Sequence, residues 1–324
     1  MEILDNFLYI LIEGEPNSPE RGFINRVFEK LKYQGLLSNI NYKVQEIGGS
    51  GNFNSIAKLI YQKSNLHQSI PVIGISDRDF RTQNMIEREL SRQDNQFIIS
   101  KSARIIYWGR HEWENFLLEE TETIANLLNQ IPTQKLGENK PYRKNTGHNL
   151  TKPQLDEWLI QYFQDSIIKE LLECLKFQFR ENANFRITLD RLDFNFTTLE
   201  EIKNWFTSQI GTKSEESKNK ILTLENMLEN ILLGEDFQWQ IYIDNQEELD
   251  FQQAKIFLRG KEAIKYLCGK AIQELKIQDL DYEIFCKELL LPELGKNTNS
   301  LIVQELGLML QPYFEQAANL TEIE

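Results

Sequence analysis

Over the first ~120 residues, short apolar runs alternate with stripes of apolar residues at helical spacing. The runs at 7–12, 42–47, 71–76 and 104–108 have the length and β-rich make-up of strands. Between them, Phe23, Val27, Phe28 and Leu31 form one helical stripe, and Phe53, Ile56, Leu59 and Ile60 form a second. Ser18-Pro19 places a cap and a first-turn proline ahead of the first stripe. Residues 85–90 and 112–118 read as two further helices. Strand and helix in alternation predict βαβ units and a mainly parallel α/β sheet of about four strands flanked by helices.

Beyond residue 120 the pattern becomes helical, so the chain divides into an α/β domain at 1–120 and a mostly helical lobe at 121–324. A long stripe runs from Leu155 through Trp158, Leu159, Tyr162, Phe163, Ile167 and Leu171 to Leu175. Thr198 and Glu201 have capping-box spacing. Residues 211–220 read as a polar linker, 237–243 as a lone strand, and 261–275 and 298–311 as helices. The stretch 131–153 is a Pro/Gly/Asn-rich loop carrying Lys135, Lys140, Arg143, Lys144 and Lys152 against a single acid, Glu138. It is a candidate substrate-binding arm, or a solvated loop.

Composition narrows the class without choosing a function. Hydrophobic residues make up 41% and charged residues 26%, ordinary values for a globular protein with a full core. No apolar run approaches the ~18 residues of a membrane helix. The first five residues, Met-Glu-Ile-Leu-Asp, are acidic where a signal peptide would be basic. Cys174, Cys268 and Cys286 stand far apart, without the spacing of a disulfide framework or zinc ribbon. A reduced, cytoplasmic protein is the expectation. The net charge of −13 argues against a general nucleic-acid coat, yet leaves room for an enzyme whose acids hold metal. No P-loop is present, and Gly48-Gly49-Ser50-Gly51-Asn52 lacks the dinucleotide-binding spacing.

The chemistry gathers at the predicted strand ends. Glu13-Gly14 follows the first strand, Gly48-Gly49 the second, and Asp77-Arg78-Asp79 the third. On an extended backbone, acids two residues apart point the same way. Such acids repel unless a cation sits between them, and Mg²⁺ or Mn²⁺ suits hard oxygen ligands. The competing view is a surface turn that uses Asp for its turn chemistry. Paired glycines let a backbone or phosphate approach closely. The histidines at 67, 111 and 148 are too scattered for a zinc site, and His111 reads as structural or substrate-positioning. Glu112 and Glu114, two apart, cannot share one face of a helix, so at most one would reach a metal there.

A glutamate after the first strand, followed by Asp-x-Asp after the third, resembles the Toprim domain of topoisomerases, primases and OLD-type nucleases. The stretch Arg110-His111-Glu112-Trp113-Glu114-Asn115-Phe116-Leu117-Leu118 is similar to the His/Tyr-Glu-x-Glu-Asn-Tyr-Leu-Leu segment of OLD-type Toprim proteins. The short members without an ATPase domain are the most similar. Some of them are effector nucleases of two-gene phage-defence systems, beside a separate ABC-type ATPase. The resemblance covers residues 7–120.

It implies a metal-dependent endonuclease acting on DNA or RNA, tRNA included, with one or two Mg²⁺ or Mn²⁺ ions. Glu13, Asp77 and Asp79 would hold the first ion, and Glu20 and Glu114 are candidates for a second. Glu15 is the alternative to Glu20, because residues 16–19 lengthen the turn where the family places its second acid. The family's catalytic lysine often follows a glycine. Gly260-Lys261 fits better than Gly269-Lys270 or Gly295-Lys296, since it follows an apolar run and opens a helix. Gly48, Gly49, Lys140, Arg143 and Lys144 would contact substrate. An ATPase partner and a homodimer are implied as the means of control. A non-catalytic Toprim-like module that binds nucleic acid or such an ATPase is the alternative. Primase-type nucleotidyl transfer is a weaker one, because no zinc module is present.

Overall fold

The computed structural model describes residues 8–14, 19–63, 72–93, 101–133, 142–181, 196–210, 215–234 and 236–321. Glu15, Lys135 and Lys140, with the 16–18 part of the first turn, lie outside the described residues.

A four-stranded parallel sheet forms the α/β part, in the order β2-β1-β3-β4. Its strands are β1 (Leu8–Ile12), β2 (Tyr42–Glu46), β3 (Ile73–Ser76) and β4 (Arg104–Tyr107). Every side chain of β1 and β3 is buried, as the unbroken apolar runs require of central strands covered on both faces. Helices α1 (Pro19–Tyr33), α2 (Phe53–Lys63) and α3 (Gln83–Gln93) make the connections. The predicted helix at 112–118 is instead a 3₁₀ segment, Trp113–Glu119, which leads into α4 (Thr121–Asn129).

Gly74 is where the sheet and α2 come closest. A Cβ there would lie 2.6 Å from Phe53 Cδ1, and Phe53 is fully buried. Gly74→Ala should therefore lower stability by about 1–3 kcal/mol through overpacking. The check is the midpoint of urea unfolding, which should fall with an unchanged slope.

The helical part begins with β5 (Arg143–Lys144) and the 30-residue α5 (Lys152–Glu181). It continues with α6 (Leu199–Ile210), α7 (Glu215–Leu232), α8 (Trp239–Asp244) and α9 (Phe251–Phe257). After these come α10 (Gly260–Glu274), β6 (Ile277–Gln278), α11 (Tyr282–Phe285), α12 (Leu291–Leu294) and α13 (Leu301–Thr321). The expected capping box is present, with Thr198 Oγ1 accepting from the Glu201 N–H and Glu201 Oε2 from the Thr198 N–H.

Three expectations need correction. Residues 215–220 open α7 rather than belonging to a linker. The lone strand at 237–243 is the helix α8, because Trp239 and Tyr242, one helical turn apart, both pack on the Phe237 side of the core while Ile241 faces out. The 131–153 loop is partly ordered into a ribbon, β5 pairing antiparallel with β6. One hydrophobic cluster runs through both parts, from β1 to α13, without a break at residue 120.

Candidate active site

The parallel strands deliver their acids to one edge. Glu13 leaves the end of β1, and Asp77 leaves the end of β3, its neighbour in the sheet. Next to Glu13, Gly14 and Gly48 form an antiparallel bridge with two hydrogen bonds of 2.9 Å. Both glycines have positive φ (131° and 76°), so no L side chain suits either place. The Gly48 N–H is spent on this bridge, which makes Gly48 a structural element of the rim rather than a phosphate donor. Gly49 is exposed, with open space around its Cα.

Around this edge lies a cavity of about 800 Å³ lined by six carboxylates: Glu13, Glu20, Asp77, Glu112, Glu114 and, on the exposed side, Glu283. Glu20 comes from the first turn of α1 and is 8% exposed. Lys261, Tyr282 and Lys287 complete the wall from the helical part. Burial and mutual repulsion push the acids up. Glu114 rises to about 8 and Glu112 to about 7, in both cases chiefly through desolvation. Asp77 is raised well above its usual range by burial first, then by Glu114, Glu20 and Glu112. Glu20 is raised by burial, Glu114, Glu13 and Glu46, with Lys261 opposing. Burial raises Glu13 as well, against a 2.5 Å hydrogen bond from Ser76 Oγ.

Asp79 departs from the expected arrangement. The strand ends at Ser76, and Asp79 has φ 50°, so the alternation that would align it with Asp77 is broken. Its carboxylate is ion-paired with Arg81 at 2.8 Å, on the side of a different cavity. Among the described residues, no three His, Cys, Asp or Glu side chains are drawn together as a ready-made metal shell. The shared coordination sphere expected for Glu13, Asp77 and Asp79 is not assembled here. The donor set nonetheless suits a hard divalent cation, since hard carboxylate oxygens, buried and repelling one another, surround one space. Glu13 and Asp77 would hold such an ion, with Glu20 and Glu114 facing them.

Glu112 and Glu114 both line the cavity, since the condition under which only one could do so, a shared helix, is not met. Glu112 precedes the 3₁₀ segment with extended backbone (φ −132°, ψ 164°), which frees it from the geometry of a helix face. Its carboxylate has a second task, accepting from the Lys261 N–H at 2.7 Å and so capping α10.

This cap is one part of a clamp between residues 110–119 and 255–261. The His111 N–H donates to Ile256 O at 2.8 Å. Asn115, fully buried, donates from Nδ2 to Lys255 O and Leu258 O at 2.8 and 2.7 Å and accepts the Glu112 N–H at Oδ1. Glu119 pairs with Lys255 and with Arg110. Burial raises Glu119, but these cations outweigh it and hold its carboxyl below the usual range. Arg259 is held from the far side by Glu170 of α5, at 2.8 Å. The clamp carries Lys261 to the acid cavity. Its side chain is exposed there, and among the described residues its ammonium has no hydrogen-bond or ion-pair partner. Neither Lys270, which lies over the Trp158 and Tyr266 rings, nor Lys296, paired with Glu293, lines it.

The other predicted residues have different places. Lys144 is buried, its ammonium bonded to Asn129 O and Asn149 Oδ1, so it serves the fold rather than a substrate arm. Arg143 is exposed and bonds Gln278 across the ribbon at 2.8 Å. His111 is buried against Phe80, with its pKa depressed to about 3 by desolvation and nearby arginines, which fits a structural role.

No family model matches this chain, and neither curated proteins nor solved structures yield a match. No helix among the described residues is long and apolar enough to cross a membrane.

Proposed function

We propose that this chain is a Toprim-type, Mg²⁺- or Mn²⁺-dependent endonuclease that hydrolyses phosphodiester bonds in DNA or RNA. The observation that carries the reading is the acid cavity itself: a cluster of carboxylates from the sheet edge and α1, facing Lys261, at the carboxyl edge of a parallel sheet, where α/β folds bind ligands. A hydrophobic core gains nothing from such a group, and burying these acids near one another is costly without a cation.

A bound divalent ion would supply Lewis-acid activation of water and of the scissile phosphate. Lys261 would stabilise the negative charge that develops on the phosphorane oxygens, because its ammonium is uncommitted and enters from the opposite wall. Glu112 orients Lys261 through its backbone. Glu13, next to the Ser76 hydroxyl, would hold the ion or move a proton.

Control by a separate ABC-type ATPase, with homodimerisation on release, belongs to the same proposal. A cytoplasmic nuclease must be restrained, and this chain carries no P-loop of its own. The test of activity is incubation with plasmid DNA and with total cellular RNA, with and without Mn²⁺. We expect metal-dependent cleavage of one substrate, abolished by EDTA and by Asp77→Ala with the fold intact by circular dichroism. Metal-independent binding without cleavage would favour a recognition module instead. Undiminished cleavage by folded Asp77→Ala would show that the site is elsewhere.

A further inference from the structure

We propose that a second cavity, beside the acid site and separate from it, takes up a single nucleobase of the nucleic-acid strand. The identity of that strand rests on the nuclease reading; binding of the base is independent of cleavage. This cavity measures about 530 Å³, within the range of small-molecule sites. It lies between the turn that follows β3, α5, the end of α7 and the Phe237–Trp239 corner.

One wall is aromatic, its rings packed edge to face or tilted against one another. The Phe237 ring lies 4.6 Å from Trp239 and 6.0 Å from Phe257, centroid to centroid. Phe237 and Trp239 are themselves buried and stiffen the wall, so the rings left to meet a base are the half-buried Phe80 and Phe257. At the rim, Asn84 and Asn230 are exposed, and among the described residues neither amide has a hydrogen-bond partner. An amide presents a donor and an acceptor together, which reading the edge of a base requires. A purely apolar ligand would leave these amides without a role.

Position supplies the link to the acid site. Asp79 lies on the wall of this cavity and Asp77 on the wall of the other. Two residues of chain span at most about 7 Å, so a strand with its phosphate at Asp77 has the second cavity close by. Enzymes that act on a base seat it, extruded, in such a pocket; here the same kind of seat would hold a base next to the scissile phosphate.

The test is fluorine NMR of the full chain labelled with 5-fluorotryptophan, in EDTA, so that nothing is cleaved. It is titrated with each nucleoside 5′-monophosphate and with ribose 5-phosphate as the base-free control. The Trp239 resonance, assigned by its loss in Trp239→Phe, should shift with at least one nucleotide and not with ribose 5-phosphate. Asn230→Leu, which removes the rim amide from an exposed helical position, should weaken that binding about tenfold. Its exposure keeps the test open if Trp239→Phe does not fold. No shift at millimolar nucleotide, an equal shift with ribose 5-phosphate, or unchanged binding in Asn230→Leu would overturn the proposal. A shift in a protein that cuts nothing would leave the pocket standing and remove the nuclease reading. Cleavage without a shift would do the reverse.

Discussion

Gly260→Ala should destabilise the protein, by about 1–3 kcal/mol, although glycine-to-alanine changes in a helix usually help by up to ~1 kcal/mol. Gly260 is the first residue of α10, where propensity alone favours alanine. Its Cα, however, packs against Asn115 so closely that a Cβ would lie 2.4 Å from Asn115 Oδ1 and 2.5 Å from the Asn115 nitrogen. Neither contact can be relieved cheaply. The second is with backbone, and the amide in the first is held by Lys255 O, Leu258 O and the Glu112 N–H. The substitution therefore pushes α10 away from the clamp and Lys261 away from the acid cavity. Asn115→Asp offers a second route to the same end, since it keeps the shape but loses both Nδ2 donations and buries a charge. It should lose about 2–4 kcal/mol. Urea unfolding measures the stability of both variants. Hydrogen exchange at the Lys261 amide, which Glu112 protects, reports the clamp directly. A stabilised Gly260→Ala, or unchanged exchange at Lys261 in either variant, would show that the clamp does not position the lysine.

This clamp marks the limit of what the sequence made legible. Sheet and strand ends could be read because a run such as Leu8–Ile12 has one use, a strand buried on both faces. Glu13 and Asp77 could be named from the acids at those strand ends, Glu20 and Glu114 from the resemblance alone, and all four line one cavity. Asp79 could not be placed. Aspartate tolerates the left-handed backbone it adopts, and the Asp-x-Asp pattern does not reveal that turn. The contribution of Asn115 was hidden for a different reason. Its partners lie 140 and 143 positions along the chain, beyond any local period. At 237–243, alternating β-rich residues mimic a strand, and only the burial of Tyr242 with Ile241 outside reveals the helix.

Without a divalent ion, the protein should lose stability as the pH rises from about 5 to about 8, and Glu114→Gln should recover part of the loss. The sign follows from the direction of the shifts. Glu112, Glu114, Glu20 and Asp77 all have carboxyls raised by folding, the first two to about 7 and about 8. An acid whose folded pKa lies above its unfolded value stabilises the fold while it is protonated. That contribution is complete below the unfolded value near 4.5 and is lost as pH climbs through the folded one. At pH 8 the cavity therefore holds several charges that repel one another in a desolvated space. A neutral glutamine at 114 removes one of them, together with the largest charge acting on Asp77. In EDTA at pH 8, Glu114→Gln should melt a few degrees higher than the parent, at roughly 2–4 °C per kcal/mol. At pH 5, where Glu114 is already protonated, the two should melt nearly together. Added Mg²⁺ or Mn²⁺ should raise the parent's midpoint at pH 8 and raise that of Glu114→Gln less, because an ion gains most where the repulsion is greatest. A parent whose melting is flat across this pH range and blind to both metals would mean that these carboxylates do not share a field, and the cation site would fall with them.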